Sequence, residues 1–265
     1  MKKEKVRAFD LLGNIALVRF PKDFKSSQKK KFAEKLLKKQ KSIKTVLEKQ
    51  GKVKGRLRKI KTKHLAGEKT KEVLYKENKC VLRFNIDTTY FSPRLSNERK
   101  EIASMIKKEE TVLVMFAGVS PFSIVIAKNS KAKKVYSNEI NREANKYARL
   151  NVILNNIKNK VEIVQGDIKR IANKFKKQGK KFDVIVMPRP QLKNSFLEQA
   201  FMLSKKATRI YYYDFCKVDE KSLIVEKIKK QAQKFKKKIK ILKIKSAGEI
   251  APYKIRVRID FKVLN

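Results

Sequence analysis

The chain has 265 residues, 42% of them hydrophobic, which is enough apolar material for one large core or two unequal ones and too much for a disordered polymer. Its 70 Lys+Arg against 25 Asp+Glu give a formal net charge of +45, an excess that repels itself unless a polyanion is the usual neighbour, so nucleic acid is the first partner expected. No apolar run approaches the roughly 18 residues that span a bilayer and no signal-type apolar region opens the chain, which argues against a membrane protein and for a cytoplasmic one.

Cys80 and Cys216 lie far apart with no CxxC spacing, and the single His64 has no companion ligands, so no metal site is expected. Both cysteines read as plain buried thiols. A Lys-rich, Ile-rich proteome or a hot habitat also raises lysine content, so charge by itself names no activity.

No fixed-period repeat is visible. "VRAFDLLGNIALVRF" reads as strand, glycine turn and strand, the pattern of a hairpin. In "KKKFAEKLLKK", Phe32, Leu36 and Leu37 recur at helical spacing with lysines between them, which predicts a helix with a solvated basic face. "VKGRLRKIKTKHLAG" and "VLYKENKCVLRFNI" alternate apolar and polar residues and predict further antiparallel strands. Residues 1–90 therefore read as a small α+β domain.

From about Ser96 the pattern alternates: helix "NERKEIASMIKK", strand "TVLVMFAG", helix "PFSIVIAKNS", strand "KVYSNEI", helix "NREANKYARLNVILNN", strand "VEIVQGD". Helix "IKRIANKFKK", strand "FDVIVMP", helix "SFLEQAFMLSKK" and strand "TRIYYYDFC" follow. Helices between short Val/Ile-rich strands predict an α/β fold with a doubly wound, parallel sheet over residues 91–265. After a Lys-rich helix, "KILKIKSAGEI" and "YKIRVRIDFKVL" flank a short turn with Pro252 and predict an antiparallel hairpin at the sheet edge. A parallel α/β sheet closed by such a hairpin resembles the class I methyltransferase (Rossmann-like) arrangement.

In "MFAGVSPF", Gly118 lets the backbone approach a ligand, and Ser120-Pro121 suits an N-cap and first turn. Such a strand-turn-helix at the carboxyl end of the first strand is where open α/β sheets bind nucleotide-like ligands. The next strand ends at Glu139, whose carboxylate is placed to accept ribose hydroxyls or, more plainly, to charge the start of the following helix. The third ends in "QGDIKR", where Asp167 suits either an exocyclic adenine amine or an N-cap, with Ile168 packing on the ring. After the fourth strand, Pro188, Arg189 and Pro190 stiffen a loop, and Ser195 with Glu198 predicts a capping box. Just before the α/β part, "TTYFSPRLSNER" offers the planar donor fork of Arg94 and the stacking faces of Tyr90 and Phe91.

Taken together, "FDLLGNIALVRFP", "SIKTVLEKQGKVKGRLRKIKTKHLAGE", "YFSPRLSNER", "MFAGVSPFSI" and "GDIKRI" resemble the archaeal and eukaryotic type tRNA (guanine37-N1)-methyltransferase over nearly the whole chain, in order. The wyosine-pathway aminocarboxypropyltransferase that modifies the same nucleotide shares much of this framework. The resemblance implies S-adenosylmethionine as donor, the base 3′ to the anticodon as target and the anticodon stem-loop of tRNA as partner. Arg94 matches the catalytic arginine that holds the guanine oxygen. Arg99, Glu139, Ile140, Asp167 and Ile168 match cofactor-contacting positions, and Ala117, Gly118 and Val119 match the loop beside the methionine part. Phe116, Pro121 and Phe122 in that loop, and Met187 at the end of the fourth strand, join the cofactor set. Tyr90, Phe91, Ser92, Pro93, Pro188, Arg189 and Pro190 form the expected substrate set.

Three departures stand out. The family usually has Asp where this chain has Val114 and Gly where it has Ser120. Its Asn-Leu-Pro after the fourth strand is here Pro188-Arg189-Pro190, with no side-chain amide. Many relatives also carry a further small N-terminal domain that touches the tRNA elbow, which this chain is expected to lack.

The expected reaction is in-line transfer of a methyl group to N1 of guanine 37 by a monomer, with proximity doing most of the work. N1 must lose its proton, so charge builds on O6, where Arg94 is a preorganised donor. The base is left between Glu98, Asp183 and water. The alternatives are methylation of a tricyclic wyosine intermediate at position 37, aminocarboxypropyl transfer from the same cofactor, and a non-catalytic RNA-binding protein on a decayed fold.

Overall fold

The computed structural model describes residues 9–188 and 195–265, apart from the side chains of 52–54. The chain separates into two compact units at Pro93/Arg94.

In the first unit, β1 (Phe9–Leu12) and β2 (Ile15–Val18) form the expected hairpin. Its turn needs Gly13 at φ 56°, where a Cβ would collide with the Leu74 carbonyl. Helix α1 (Ser26–Lys39) then crosses over so that β3 (Thr45–Lys54) pairs parallel to β2, a connection that alternation alone did not reveal. β4 (Lys59–Gly67) pairs antiparallel to β3, and β5 (Glu72–Glu77) and β6 (Cys80–Asn85) make a separate hairpin. Leu36 of α1 packs with Ala16, Val18, Ile43 and Val46, flanked by Phe32 and Leu37, while its lysines face outward. That is the amphipathic division the helical spacing predicted.

The second unit runs α2 (Ser96–Ser104), β7 (Thr111–Val114), α3 (Pro121–Asn129), β8 (Lys134–Glu139), α4 (Arg142–Leu154), β9 (Val161–Gln165), α5 (Ile168–Lys177) and β10 (Phe182–Met187). Then come α6 (Leu197–Leu203), β11 (Ser204–Lys217), α7 (Lys221–Lys234), β12 (Ile239–Ala251) and β13 (Lys254–Val263). The seven-stranded sheet has the order β12-β13-β11-β10-β7-β8-β9. The five strands from β9 to β11 are parallel, and β13 inserts antiparallel between β11 and β12. The order reverses between β7 and β10, so a crevice forms outside their carboxyl ends, the general ligand position in open α/β sheets.

The expected hairpin is present, with its second strand inside and its first on the edge. Burial explains the placement: Ile255, Val257, Ile259, Phe261 and Val263 fill one face of β13, while Arg258 and Asp260 are buried on the other. The helix expected from Ser195 begins later, at Leu197. Phe196 precedes it at φ 55°, and the Ser195 hydroxyl receives only a long 3.4 Å bond from the Leu197 N–H, so no Ser195–Glu198 capping box forms.

Candidate functional site

The carboxyl ends of β7, β8 and β9 are laced together by hydrogen bonds from side chains to backbone. β7 gives way to a turn in which Phe116, Gly118 and Ser120 all have positive φ (56°, 60° and 68°), closed by Ser120 N–H donating to the Ala117 carbonyl at 2.9 Å. The Ala117 N–H donates to the Asn138 carbonyl at 2.8 Å, which ties this turn to the end of β8. Glu139 then accepts from the N–H groups of Gly118 (2.7 Å), Ile140 (2.9 Å) and Asn141 (2.8 Å) and is 8% exposed. A carboxylate has about four acceptor sites. Three are filled from within the chain, so capacity for one hydroxyl donor is left.

The end of β9 is fastened in turn. The Asn138 amide donates to the carbonyls of Val164 and Gly166, each at 3.0 Å, and the Gly166 N–H donates to the Glu139 carbonyl at 2.9 Å. Asp167 caps α5, accepting from the Lys169 N–H at 2.9 Å. The capping reading of Asp167 is therefore realised, and its half-buried carboxylate still lies beside Glu139 on the same edge. Sequence reading missed Asn138. An Asn inside a strand next to an acidic strand end is the signal that marks it.

Ser120 holds the N-cap position of α3 and Pro121 its first turn, but the serine hydroxyl does not cap. It turns to Ser137 at 2.8 Å, and Ser123 donates to the same oxygen at 2.7 Å. The left-handed backbone here is one that glycine adopts freely and serine at a cost of about 1 kcal/mol, so it explains the family's usual Gly rather than this chain's Ser120. Val114 is fully buried and hydrogen-bonded in the sheet between β8 and β10, so the place of the usual Asp is filled by core.

Of the residues expected at the cofactor, Phe116, Ala117, Gly118, Val119, Glu139, Ile140, Asp167, Ile168 and Met187 come together on this edge. Val119, Ile168 and Met187 are buried, as are Pro121 and Phe122 at the start of α3. Phe116 meets Phe196 edge-on at 5.1 Å, bringing the entry to α6 over the same turn. Arg99 is 1% exposed, with its guanidinium 5.7 Å from the Phe122 ring. An open depression of about 340 Å³ lies alongside, lined by Lys169, Ser195, Phe196, Glu198, Gln199, Lys227 and Gln231.

Arg94 is exposed on a single 3-10 turn, Pro93–Leu95, directly before α2. Below it, Glu98 is 5% exposed and accepts from the Tyr213 hydroxyl (2.9 Å), Lys245 Nζ (2.8 Å) and Arg258 Nη1 (2.7 Å). Arg258, wholly buried, also reaches Asp260 (2.7 Å) and Glu101 (2.8 Å). Hydrogen bonding to Arg258, more than to Lys245, holds the Glu101 carboxyl down to about 2. Burial pushes the Tyr213 hydroxyl well above the usual phenol range. Asp183, the other carboxylate considered as base, is excluded by position. It starts β10 at the opposite edge, accepts from both the N–H and the hydroxyl of Thr111 (2.9 Å each), and pairs with Lys205 at 2.6 Å.

Within the first unit, Tyr90 carries the Arg58 guanidinium 3.6 Å from its ring centroid. Arg58, in the β3–β4 turn at φ 54°, is a contact no sequence motif announced. Phe91 differs from expectation: its ring packs on Tyr75 (4.9 Å) and Phe84 (4.8 Å), so its faces serve that unit's own core. Ser92 and Pro93 are half-buried, as is Pro188 at the end of β10, while Arg189 and Pro190 lie outside the described residues. Among the described residues no group of three or more His, Cys, Asp or Glu could hold a metal, and Cys80 and Cys216 are buried free thiols. Among them too, no helix is long and apolar enough to cross a membrane.

The TRM5/TYW2 methyltransferase domain matches residues 73–242, and the TYW2 N-terminal domain matches residues 1–70. The chain belongs to the TRM5/TYW2 methyltransferase family. One relative in this family, tRNA (guanine(37)-N(1))-methyltransferase Trm5b of Pyrococcus abyssi, is 35% identical over 97% of this chain and 74% of its own length. Its crystal structure superposes with a TM-score of 0.85 at 33% identity, covering 98% of this chain and 76% of that one. The tRNA (guanine(37)-N(1))/4-demethylwyosine(37)-methyltransferase Taw22 of Nanoarchaeum equitans is 32% identical over 97% of this chain and 100% of its own length. A solved complex of aTrm5 with tRNALeu matches with a TM-score of 0.82 at 29% identity, covering 98% and 72% of the two chains. The TRM5/TYW2 fold and its class I methyltransferase sheet are thus those the strand order displays.

Proposed function

We propose that this TRM5/TYW2 protein transfers a methyl group from S-adenosylmethionine to N1 of guanine 37 in tRNA, acting as a cytoplasmic monomer on the anticodon stem-loop. The observation that carries this reading is the lacing of Gly118, Glu139 and Gly166-Asp167 at three adjacent strand ends. Glu139 there keeps capacity for a ribose hydroxyl, the Asp167 carboxylate stands one strand away, and Ile140 and Ile168 follow them in the chain. A nucleoside fits that donor and acceptor set. S-adenosylmethionine, held there, supplies an electrophilic methyl group.

The chain's own residues do the rest. Arg94, on the turn before α2, donates to O6 of the guanine as charge develops there. Its loss lowers the rate on the order of 10²-fold or more. Between the two carboxylates considered as proton acceptor, Glu98 stays in play, since it lies four residues after Arg94 on the first turn of α2. Tyr90 and its Arg58 neighbour offer a cationic aromatic face to a base in a loop, which is splayed out without breaking a duplex.

The test is mass spectrometry of nucleosides from unmodified tRNA transcript incubated with the protein and S-adenosylmethionine. One methyl on N1 of guanine 37, lost in Arg94→Ala, is the expected result; no methylated guanine sinks the reading. A second reading, methylation of a tricyclic base at position 37 as well, is favoured by the Taw22 relative and by Pro188, which has no amide to confine the base. Transcript carrying 4-demethylwyosine gains a methyl only under that reading. Release of adenosylhomocysteine rather than methylthioadenosine separates both from aminocarboxypropyl transfer.

A further inference from the structure

The amino edge of the seven-stranded sheet, opposite the site, carries a band of lysines that the site does not use. The segments 131–134, 176–181 and 236–238, which lead into β8, β10 and β12, hold ten lysines and no carboxylate. Segment 158–160 adds two more before β9. β9 and β12 are the outermost strands, so the band crosses the whole sheet, about 30 Å at ~4.8 Å per strand spacing.

Helix C-termini favour lysine because a cation offsets the macrodipole, but that effect falls off within the last turn. Segments 131–134 and 236–238, with Lys180 and Lys181, lie past the ends of α3, α5 and α7. Four of these lysines settle on main-chain oxygens or ring faces. Lys134 donates to the Asn159 carbonyl (3.2 Å), Lys181 to that of Met202 (2.7 Å) and Lys237 to the main-chain oxygen of the last residue, Asn265 (3.3 Å), while Lys180 lies over the Tyr136 and Phe175 rings (4.8 and 5.0 Å). Of the nearby carboxylates, Asp183 and Glu110 are taken by Lys205 and Arg209, and Glu109 stands exposed beside Lys131, one acid against ten lysines. Burial first, then repulsion from Lys237 and Lys176, holds the Lys181 amine below its ordinary range, so cations from two helix ends crowd together here.

We infer that this amino edge is a second RNA-binding surface, which grips a phosphate backbone through the lysines of 131–134, 176–181 and 236–238. A band one turn deep and six strand spacings long suits a linear polyanion better than a plane of lipid headgroups. The surface is independent of methyl transfer, because the length of β10, about 20 Å, separates the two edges.

The experiment compares two full-length variants of equal charge. One changes exposed amino-edge residues, Lys176→Gln, Lys177→Gln, Lys236→Gln and Lys238→Gln together; the other changes Lys30→Gln, Lys31→Gln, Lys35→Gln and Lys38→Gln on α1. Binding of a short fluorescent RNA duplex without loops is titrated between about 50 and 200 mM salt. The expected result is a log–log salt slope shallower by about 3 to 4 in the amino-edge variant. The α1 variant shifts by about 1 or less, and methyl transfer at saturating tRNA is retained in the amino-edge variant. Equal slope changes in both variants overturn the inference in favour of a diffuse field, and unchanged slopes overturn it outright. If the amino-edge variant instead loses only its binding to phosphatidylserine-containing vesicles, the surface belongs to a membrane and the RNA assignment falls.

Discussion

The two edges of the same sheet handle charge in opposite ways. At the carboxyl edge polar side chains are tied to the chain's own backbone, and one carboxylate, Glu139, organises three backbone amides into a fixed turn. At the amino edge Lys205 pairs with Asp183, but Lys134, Lys180 and Lys181 settle on carbonyls and ring faces and keep their charge unpaired by any side-chain carboxylate among the described residues. Internal pairing makes a rigid site that tolerates little change, while uncompensated charge makes a tolerant surface whose partner lies outside the molecule.

Substitutions at the two edges test that difference. The largest effect is expected beside the carboxyl edge at Arg258→Met, which strands Glu98, Glu101 and Asp260 without their shared cation. Breaking a buried ion pair from one side costs about 3–5 kcal/mol, on the order of a 10 °C fall in Tm, which calorimetry reads. An unchanged Tm would mean the network adds no stability. Next is Glu139→Gln, whose amide keeps one acceptor oxygen and turns an NH₂ toward N–H donors. Urea unfolding should lose about 2 kcal/mol and titration calorimetry should show weakened S-adenosylmethionine binding. Full binding would show that Glu139 acts only on the backbone.

Smaller still is an acid response. Glu101 has its carboxyl lowered from 4.5 to about 2, so its contribution is complete above the higher value and lost as pH falls toward the lower. Stability followed by circular dichroism should decline over that window, and Glu101→Gln should flatten part of the decline. The smallest effect belongs to the amino edge. Lys237→Gln relieves repulsion on Lys181 and should stabilise by a few tenths of a kcal/mol in low salt, vanishing in high salt. A loss above about 1 kcal/mol would show that this lysine is structural.

Much of this contrast was legible in the residues. Val/Ile-rich strands between amphipathic helices announced the sheet, and its acidic strand ends announced the site, because burial on two faces and a need for backbone acceptors leave composition marks. What stayed hidden depends on long-range pairing. The parallel β2–β3 contact and the Arg58–Tyr90 stack join residues that no local period links. Asp183 looked like a candidate base because a sequence shows a carboxylate near a strand without showing which end of the sheet it faces. The Ser195–Glu198 pattern failed for another reason: Phe196 turns left-handed against Phe116, and packing there overrides the capping signal.

The insertion of β13 between β11 and β12 bears on how the protein is made. Arg258 meets Glu98 across 160 positions of chain, so α2, which follows the turn bearing Arg94, reaches its buried cation only after nearly the whole second unit has left the ribosome. Until then Glu98 and Glu101 face an unfinished sheet, and β11 presents an open edge to any passing strand. Contacts this distant in sequence form late and slowly. A nascent chain stalled before residue 254 would therefore leave α2 without its buried cation and be open to chaperones and proteases.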